Sequence, residues 1–239
     1  MRRHVLVFAA AVTAFPAMSA MAGVCDAPFM HDNGRTTLTG SGALQLGADL
    51  SFSEVKKSGP DQCQARVQGV ATYGLMGLPP KQSELDYFMT VRNGTTGFER
   101  IDASGKREPV EGKFDLRMLG LFAYGEPIRD EGQTFPAQKF QITIDRKAGD
   151  AAPLVISTGQ KTVGPRATID TASGSQSCWP VRYTRVIDPT KASFNGIVLR
   201  VPGITSSVTD WFCPDVNMVM RQESKQGGVT STVEVTELR

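Results

Sequence analysis

The chain has 239 residues, with 26 Lys+Arg against 24 Asp+Glu and two histidines. Arg2 and Arg3 lie in a leader-like N-terminus, so the remainder balances at 24 against 24 and holds no basic stripe able to neutralise a phosphate backbone. That argues against a nucleic-acid partner, while the length suffices for one large β domain with a real core, or two small ones.

Met1-Arg2-Arg3-His4 precedes an apolar run from Val5 to Phe15, and Met18-Ser19-Ala20-Met21-Ala22 follows. A basic start, an apolar stretch and a small-x-small site are the three parts of a secretory signal peptide. The run falls short of the roughly 20 apolar residues of a membrane span, and Pro16 interrupts it. Residues 1–22 are therefore expected to be removed, leaving a mature periplasmic chain from Gly23 with no transmembrane segment. Lipidation at Cys25 is disfavoured, because Val24 stands where lipoprotein signals require a small residue.

Cys25, Cys63, Cys178 and Cys213 are an even set in an exported chain, which points to two disulfides. Three connectivities are open. Proximity in sequence favours Cys25–Cys63 and Cys178–Cys213, and the first bridge would contribute about 3 kcal/mol by restricting the unfolded chain. The spacing is too wide for a zinc cluster, and only His31 would be left to help, so no metal is expected.

The dominant period downstream is two. From Leu38 to Phe52 every even position is apolar or glycine and the odd ones are nearly all polar or small, which reads as a half-buried strand bent at its glycines. Gly59-Pro60-Asp61 marks a turn, after which Cys63, Ala65, Val67, Gly69 and Ala71 share a face. Tyr73 to Pro80 is Gly- and Pro-rich and reads as a loop. Leu85, Tyr87, Met89 and Val91 alternate up to Asn93-Gly94, a favoured hairpin turn, and Ser104-Gly105 marks the next. Phe114 to Tyr124 fits one short amphipathic helix stopped by Gly125, or else a buried strand; the helix is the preferred reading.

Phe140, Ile142 and Ile144 resume the alternation, and Arg146 to Gln160 reads as a loop-rich waist. Trp179, Val181 and Tyr183 come next, then Ile197, Leu199 and Val201 behind Asn195-Gly196. Val216, Met218 and Met220 run into Gln226-Gly227-Gly228, and Val229, Val233 and Val235 return as a C-terminal hairpin. The fold class expected is mainly β, or α+β: one domain over 23–239, a strongly curved antiparallel sheet of half-barrel or barrel-like form, carrying one short helix.

Signs of catalysis are sparse. Ser-His-Asp and Cys-His hydrolases need a histidine base, and the mature chain offers only His31, near an N-terminus read as flexible. No His-Glu-x-x-His, Walker loop or dinucleotide loop is present. Asp86, Glu99, Asp102, Asp145 and Asp170 include no pair that stands out as a glycosidase dyad. No catalytic residue and no cofactor is expected. Trp179 and Trp211-Phe212, beside Cys178 and Cys213, read as core packing or as the mouth of an apolar cavity.

The stretch Asp210-Trp211-Phe212-Cys213-Pro214-Asp215-Val216-Asn217-Met218-Val219-Met220-Arg221-Gln222-Glu223 resembles a recurring ending in uncharacterised bacterial envelope proteins. Cys178-Trp179-Pro180-Val181-Arg182-Tyr183 resembles the strand that precedes it there. The resemblance covers about the last sixty residues and implies a curved antiparallel sheet around a helix, like that of the periplasmic lipoprotein carriers. Cys213, where a small residue is frequent, and Asn217, where glycine is usual, depart from the pattern.

These readings lead to an envelope protein without catalytic activity that binds a lipid or acyl ligand, or an envelope protein partner, in or on the sheet. An assembly factor acting through protein contacts is the alternative. The ligand face expected from the apolar register is Leu44, Leu46, Leu50, Val67, Tyr87, Met89, Ile142 and Met218. A packed core is the competing reading of the same positions.

Overall fold

Alternation of apolar and polar side chains becomes one antiparallel sheet, curved but not closed. The structure is a computed structural model, and it describes residues 24–239 except 43, 60–61, 76–79, 93–94, 103, 110–123, 125–127, 143–153 and 195–196. From one edge to the other the sheet runs β6 (Arg107–Pro109), β5 (Thr95–Ile101), β4 (Lys81–Arg92), β3 (Gln62–Leu75), β2 (Leu44–Gly59) and β1 (Arg35–Ser41). It continues through β17 (Val229–Leu238), β16 (Met218–Gln226), β15 (Ile204–Cys213), β12 (Gly174–Ile187), β10 (Lys161–Val163) and β7 (Thr134–Phe135). β9 (Leu154–Thr158) joins β8 (Gln138–Ile142) to β12, and β11 (Ala167–Thr171) also pairs with β12. β13 (Thr190–Phe194) and β14 (Ile197–Val201) form a separate hairpin. The first and last strands pair with each other, β1 with β17.

The register explains the inner face. Phe52 lies opposite Val67, which lies opposite Tyr87, and Ala65 lies opposite Met89, itself opposite Phe98. Leu38 lies between Ala48 and Val235. All of these are buried in one hydrophobic cluster that extends to Val181, Phe212 and Met220 at the far end of the sheet. Gly69 is required by close approach: a Cβ there would sit 1.9 Å from the Asp49 carbonyl oxygen on the neighbouring strand.

The inner face of β2 is covered by the segment that follows the expected cleavage site. Val24–Asp26 form a 3-10 turn, Phe29 and Met30 are wholly buried, and the Phe29 ring lies 4.6 Å from that of Phe52. The Cys25–Cys63 bridge ties the segment to β3, and Asn33 N–H donates to the Phe52 carbonyl while Phe52 N–H donates to that of Gly34. This corrects the expectation of a flexible N-terminus beside His31. The imidazole itself is exposed, but the residues before it are core, because two large apolar side chains gain more from burial than the short tether loses in entropy.

Three further readings are corrected. Leu38–Phe52 is not one strand bent at its glycines but the paired strands β1 and β2, with Leu38 opposite Ala48, since Gly42 at φ 99° takes a backbone that reverses the chain rather than bending it. Tyr73, Gly74 and Leu75 are not loop: they continue β3 against Leu46, Gln45 and Leu44, since the long β2 supplies partners past the point where glycine weakens the propensity. The expected waist contains β9, whose Ile156 and Thr158 are buried against the main sheet. Of the Phe114–Tyr124 helix and its Gly125 stop only Tyr124 is described, so that expectation lies outside the described residues, as do the Pro60-Asp61, Asn93-Gly94 and Asn195-Gly196 turns themselves. Among the described residues the 3-10 turn is the one helical element.

Both disulfides pair as sequence proximity favours, Cys25–Cys63 and Cys178–Cys213, the second joining β12 to the end of β15. Beyond it, Pro214–Asn217 turn the chain into β16, with Asn217 buried at φ 52° in the left-handed region that suits glycine and asparagine. Asn217→Gly should leave the melting temperature nearly unchanged, whereas Asn217→Val should cost about 1–2 kcal/mol in denaturant titrations, because a β-branched residue resists that backbone.

Ion pairs brace the outer face. Arg35 pairs with Asp49 between β1 and β2, and Arg66 grips both carboxylate oxygens of Asp86 at 3.0 and 2.8 Å between β3 and β4. The hydrogen bond from Arg66, joined by one from Gln68, holds the Asp86 carboxyl below its ordinary value despite an opposing push from partial burial. A carboxylate lowered in the folded state stabilises above its unfolded pKa, near 4, and that stability is lost as pH falls through the lower folded value. Asp86→Asn should therefore cost at most about 1 kcal/mol at pH 7, since the pair is solvent-screened, and the gap between wild type and variant should close as pH falls below the lowered folded value. Melts across that range check it.

Candidate functional site

The far end of the sheet differs in chemistry from the β2–β4 end. Along the inner register of β15, Val208 and Phe212 are separated by Asp210, and on β16 Met220 is followed two residues later by Gln222. Both polar residues are buried, Asp210 completely, and they face each other across the strand pair. β12 contributes Tyr183 and Arg185, β10 contributes the buried Lys161, and Tyr124 reaches in from the preceding segment.

These side chains form one network. The Tyr124 hydroxyl donates to Asp210 Oδ2 at 2.5 Å, Gln222 Nε2 donates to Oδ1 at 2.7 Å, and the Tyr183 hydroxyl lies 3.5 Å from the same Oδ1. Gln222 Oε1 accepts from Arg185 Nη1 at 3.2 Å, so the amide links guanidinium to carboxylate. Arg185 Nη2 donates to Ser224 Oγ at 3.0 Å. The Lys161 ammonium stands 5.1 Å from the centre of the Tyr124 ring and 4.8 Å from that of Tyr183, within cation–π range of both. Such a cluster orients donors and acceptors rigidly, because every member is fixed by at least one other.

The eight residues expected to line a ligand cavity are dispersed. Leu50, Val67, Met89 and Met218 are wholly buried, Tyr87 is buried and Leu46 is half-buried. Leu44 and Ile142 lie in β2 and β8 opposite Leu75 and Leu154, and their side chains are outside the described residues. Leu44, Leu46, Leu50, Val67, Tyr87 and Met89 come together on β2–β4, whereas Ile142 and Met218 lie on strands across the sheet. Trp179 and Phe212 are core residues; Trp211 is half-buried and its indole N–H donates to Glu223 at 3.2 Å.

On the outer face, an open groove of ≈ 480 Å³ runs between β10, β12, β15 and β16, with Arg182, Glu223 and Lys225 among its polar walls. None of the eight expected ligand residues lines it. Among the described residues no cluster of three or more His, Cys, Asp and Glu could hold a metal ion, and no helix is long and apolar enough to cross a membrane. The sequence did carry a signal for the polar cluster: Asp210, Gln222 and Arg185 occupy the parity of a buried face, where a charged or amide side chain is out of place unless partnered.

No family model and no curated protein matches the chain. Among solved structures it resembles a candidate exported protein with YmcC-like fold from Bacteroides fragilis, at 11% identity and TM-score 0.51, covering 87% of this chain and 96% of that one. A candidate lipoprotein from Parabacteroides distasonis matches at 14% identity and TM-score 0.50, covering 89% and 98%. The fold is YmcC-like. At these identities the likeness concerns the curved sheet alone, and no activity or ligand comes with it.

Proposed function

We propose that the chain is an exported, non-catalytic protein of the cell envelope, a single domain from Gly23 onward. In this reading it binds an amphiphilic ligand or a protein partner through the β12–β15–β16 part of its YmcC-like sheet. The β2–β4 part, which the apolar register offered to an acyl chain, is the packed scaffold. The observation that carries the reading is the contrast between these parts. Phe29 and Met30 are wholly buried over the inner face of β2, whereas the far end holds a network of Asp210, Gln222, Tyr183 and Arg185. Export is supported by the leader composition and by two disulfides, which persist in oxidising compartments.

The assembly-factor reading is favoured by the outer groove, whose mixed-charge walls suit a polar protein surface better than a hydrocarbon. Native purification from an envelope fraction, followed by mass spectrometry for bound lipid, separates the two. The ligand reading expects an amphiphile at near-stoichiometric level; a protein that never carries one is an assembly factor. N-terminal sequencing should return Gly23, and Met1 would overturn export.

A further inference from the structure

We propose that Arg185 and Thr158 form an oxyanion-binding site on the inner face of the sheet. The proposal deepens the function read above, because it names the acidic group that a ligand at this end of the sheet would present.

The residues are brought together by register. Arg185 in β12 lies directly between Thr158 of β9 and Ser206 of β15, and both hydroxyl residues are buried. A guanidinium has five N–H donors. Here one goes to Gln222 Oε1 and one to Ser224 Oγ, both neutral acceptors. Its Nε is shielded from solvent and donates to nothing, and the Thr158 hydroxyl on the facing residue is likewise buried without a partner. Among the described residues Arg185 makes no ion pair, whereas Arg35 and Arg66 on the outer face each have a carboxylate.

Charge points the same way. The polar end of the inner face holds two cationic side chains, Lys161 and Arg185, beside the carboxylate of Asp210. A planar fork with unused donors beside a hydroxyl fits a carboxylate or phosphate oxygen pair, which would accept from Nε and from Thr158 together. Arg185 is half-buried at the Ile187 end of β12, so a rotation of its side chain presents the fork without opening the sheet. Two orphaned donors on facing residues raise the free energy of the empty site, and an oxyanion recovers that cost on binding.

The chemistry is shared by a free anion and by a lipid headgroup, so the test uses three probes on the full mature protein: inorganic phosphate, dodecyl phosphate and dodecanoate, each titrated by calorimetry. At least one should bind. Phosphate binding as tightly as dodecyl phosphate identifies a free oxyanion, and binding of the alkyl probes alone identifies a headgroup. Arg185→Gln should weaken binding about 10–100-fold, the range for losing a charge-assisted hydrogen bond. Arg185→Lys should recover part of it. Thr158→Val should weaken binding several-fold while leaving the melting temperature of the empty protein unchanged or higher, because it removes a buried hydroxyl that bonds to nothing.

The site is overturned if no probe binds the wild type, if binding survives Arg185→Gln in a folded variant, or if Thr158→Val lowers the melting temperature of the empty protein, which would give the hydroxyl a purely structural role. A lipid that still co-purifies with Arg185→Gln sinks this site alone and leaves the ligand-binding function standing. Absence of co-purifying lipid from wild type sinks the amphiphile reading instead, and leaves the phosphate arm to decide the site.

Discussion

Met89→Ala should destabilise the protein by about 2–5 kcal/mol, read as a drop in melting temperature and in denaturant midpoint at constant slope. Met89 is wholly buried on β4, opposite Ala65 on one side and Phe98 on the other, and the Phe98 ring meets Tyr87 edge-on at 5.6 Å. Ala65 is too small to expand into the space a missing thioether leaves, and the aromatic pair is held by its own contact. The cavity therefore persists, and the cost includes both lost transfer free energy and lost dispersion contacts. Leu46→Ala is the internal control: Leu46 is only half-buried, so the same truncation should cost distinctly less. The pair of variants also weighs scaffold against cavity. A small effect at Met89 accompanied by loss of a bound lipid would return the acyl chain to β2–β4 and overturn the assignment of that part as packed.

The architecture was legible in the sequence because a half-buried antiparallel strand writes itself as a period of two. Cys63–Ala71, Leu85–Val91 and the closing hairpin all occur where alternation put them, and Gln226 pairs with Val229 across the expected Gly-Gly turn. Leu38–Phe52 keeps its parity but not its continuity, because an even-numbered alternation looks the same in one strand and in two strands folded onto each other. The period determines which side chains share a face, but it is silent on what lies against that face. Leu50, Val67 and Met89 were correctly placed on one side, yet whether they met a ligand or other core residues depended on Phe29 and Met30, which sit in a short segment with no periodicity. Long-range placement of such a segment follows from packing and from the Cys25–Cys63 tether, and neither is local. The polar site was hidden for another reason. Attention to apolar alternation passes over polar residues in the same parity, so Asp210 between Val208 and Phe212 reads as noise until Gln222 and Tyr124 are seen to meet it.

Asp210→Ala should be among the most damaging single substitutions in the protein, at about 3–5 kcal/mol. The carboxylate is completely buried and accepts from the Tyr124 hydroxyl and from Gln222, with Tyr183 at the edge of bonding distance. Truncation leaves those donors facing a void too small and too apolar on its Val181 and Phe212 sides to supply equivalent partners. Each stranded donor costs about 1–3 kcal/mol. Asp210→Asn keeps the volume and one acceptor oxygen but points an amide NH2 at a donor, so it should cost less than alanine and more than a surface change. A double-mutant cycle with Gln222→Ala distinguishes a network from a set of separate bonds: coupling of about 1–3 kcal/mol is expected, and additivity within about 0.5 kcal/mol would mean that Gln222 and Asp210 act independently. If Gln222 does link the two charges, Gln222→Ala should also release Arg185 and shift its oxyanion affinity, whereas Asp210→Asn, two residues removed from the fork, should shift it less.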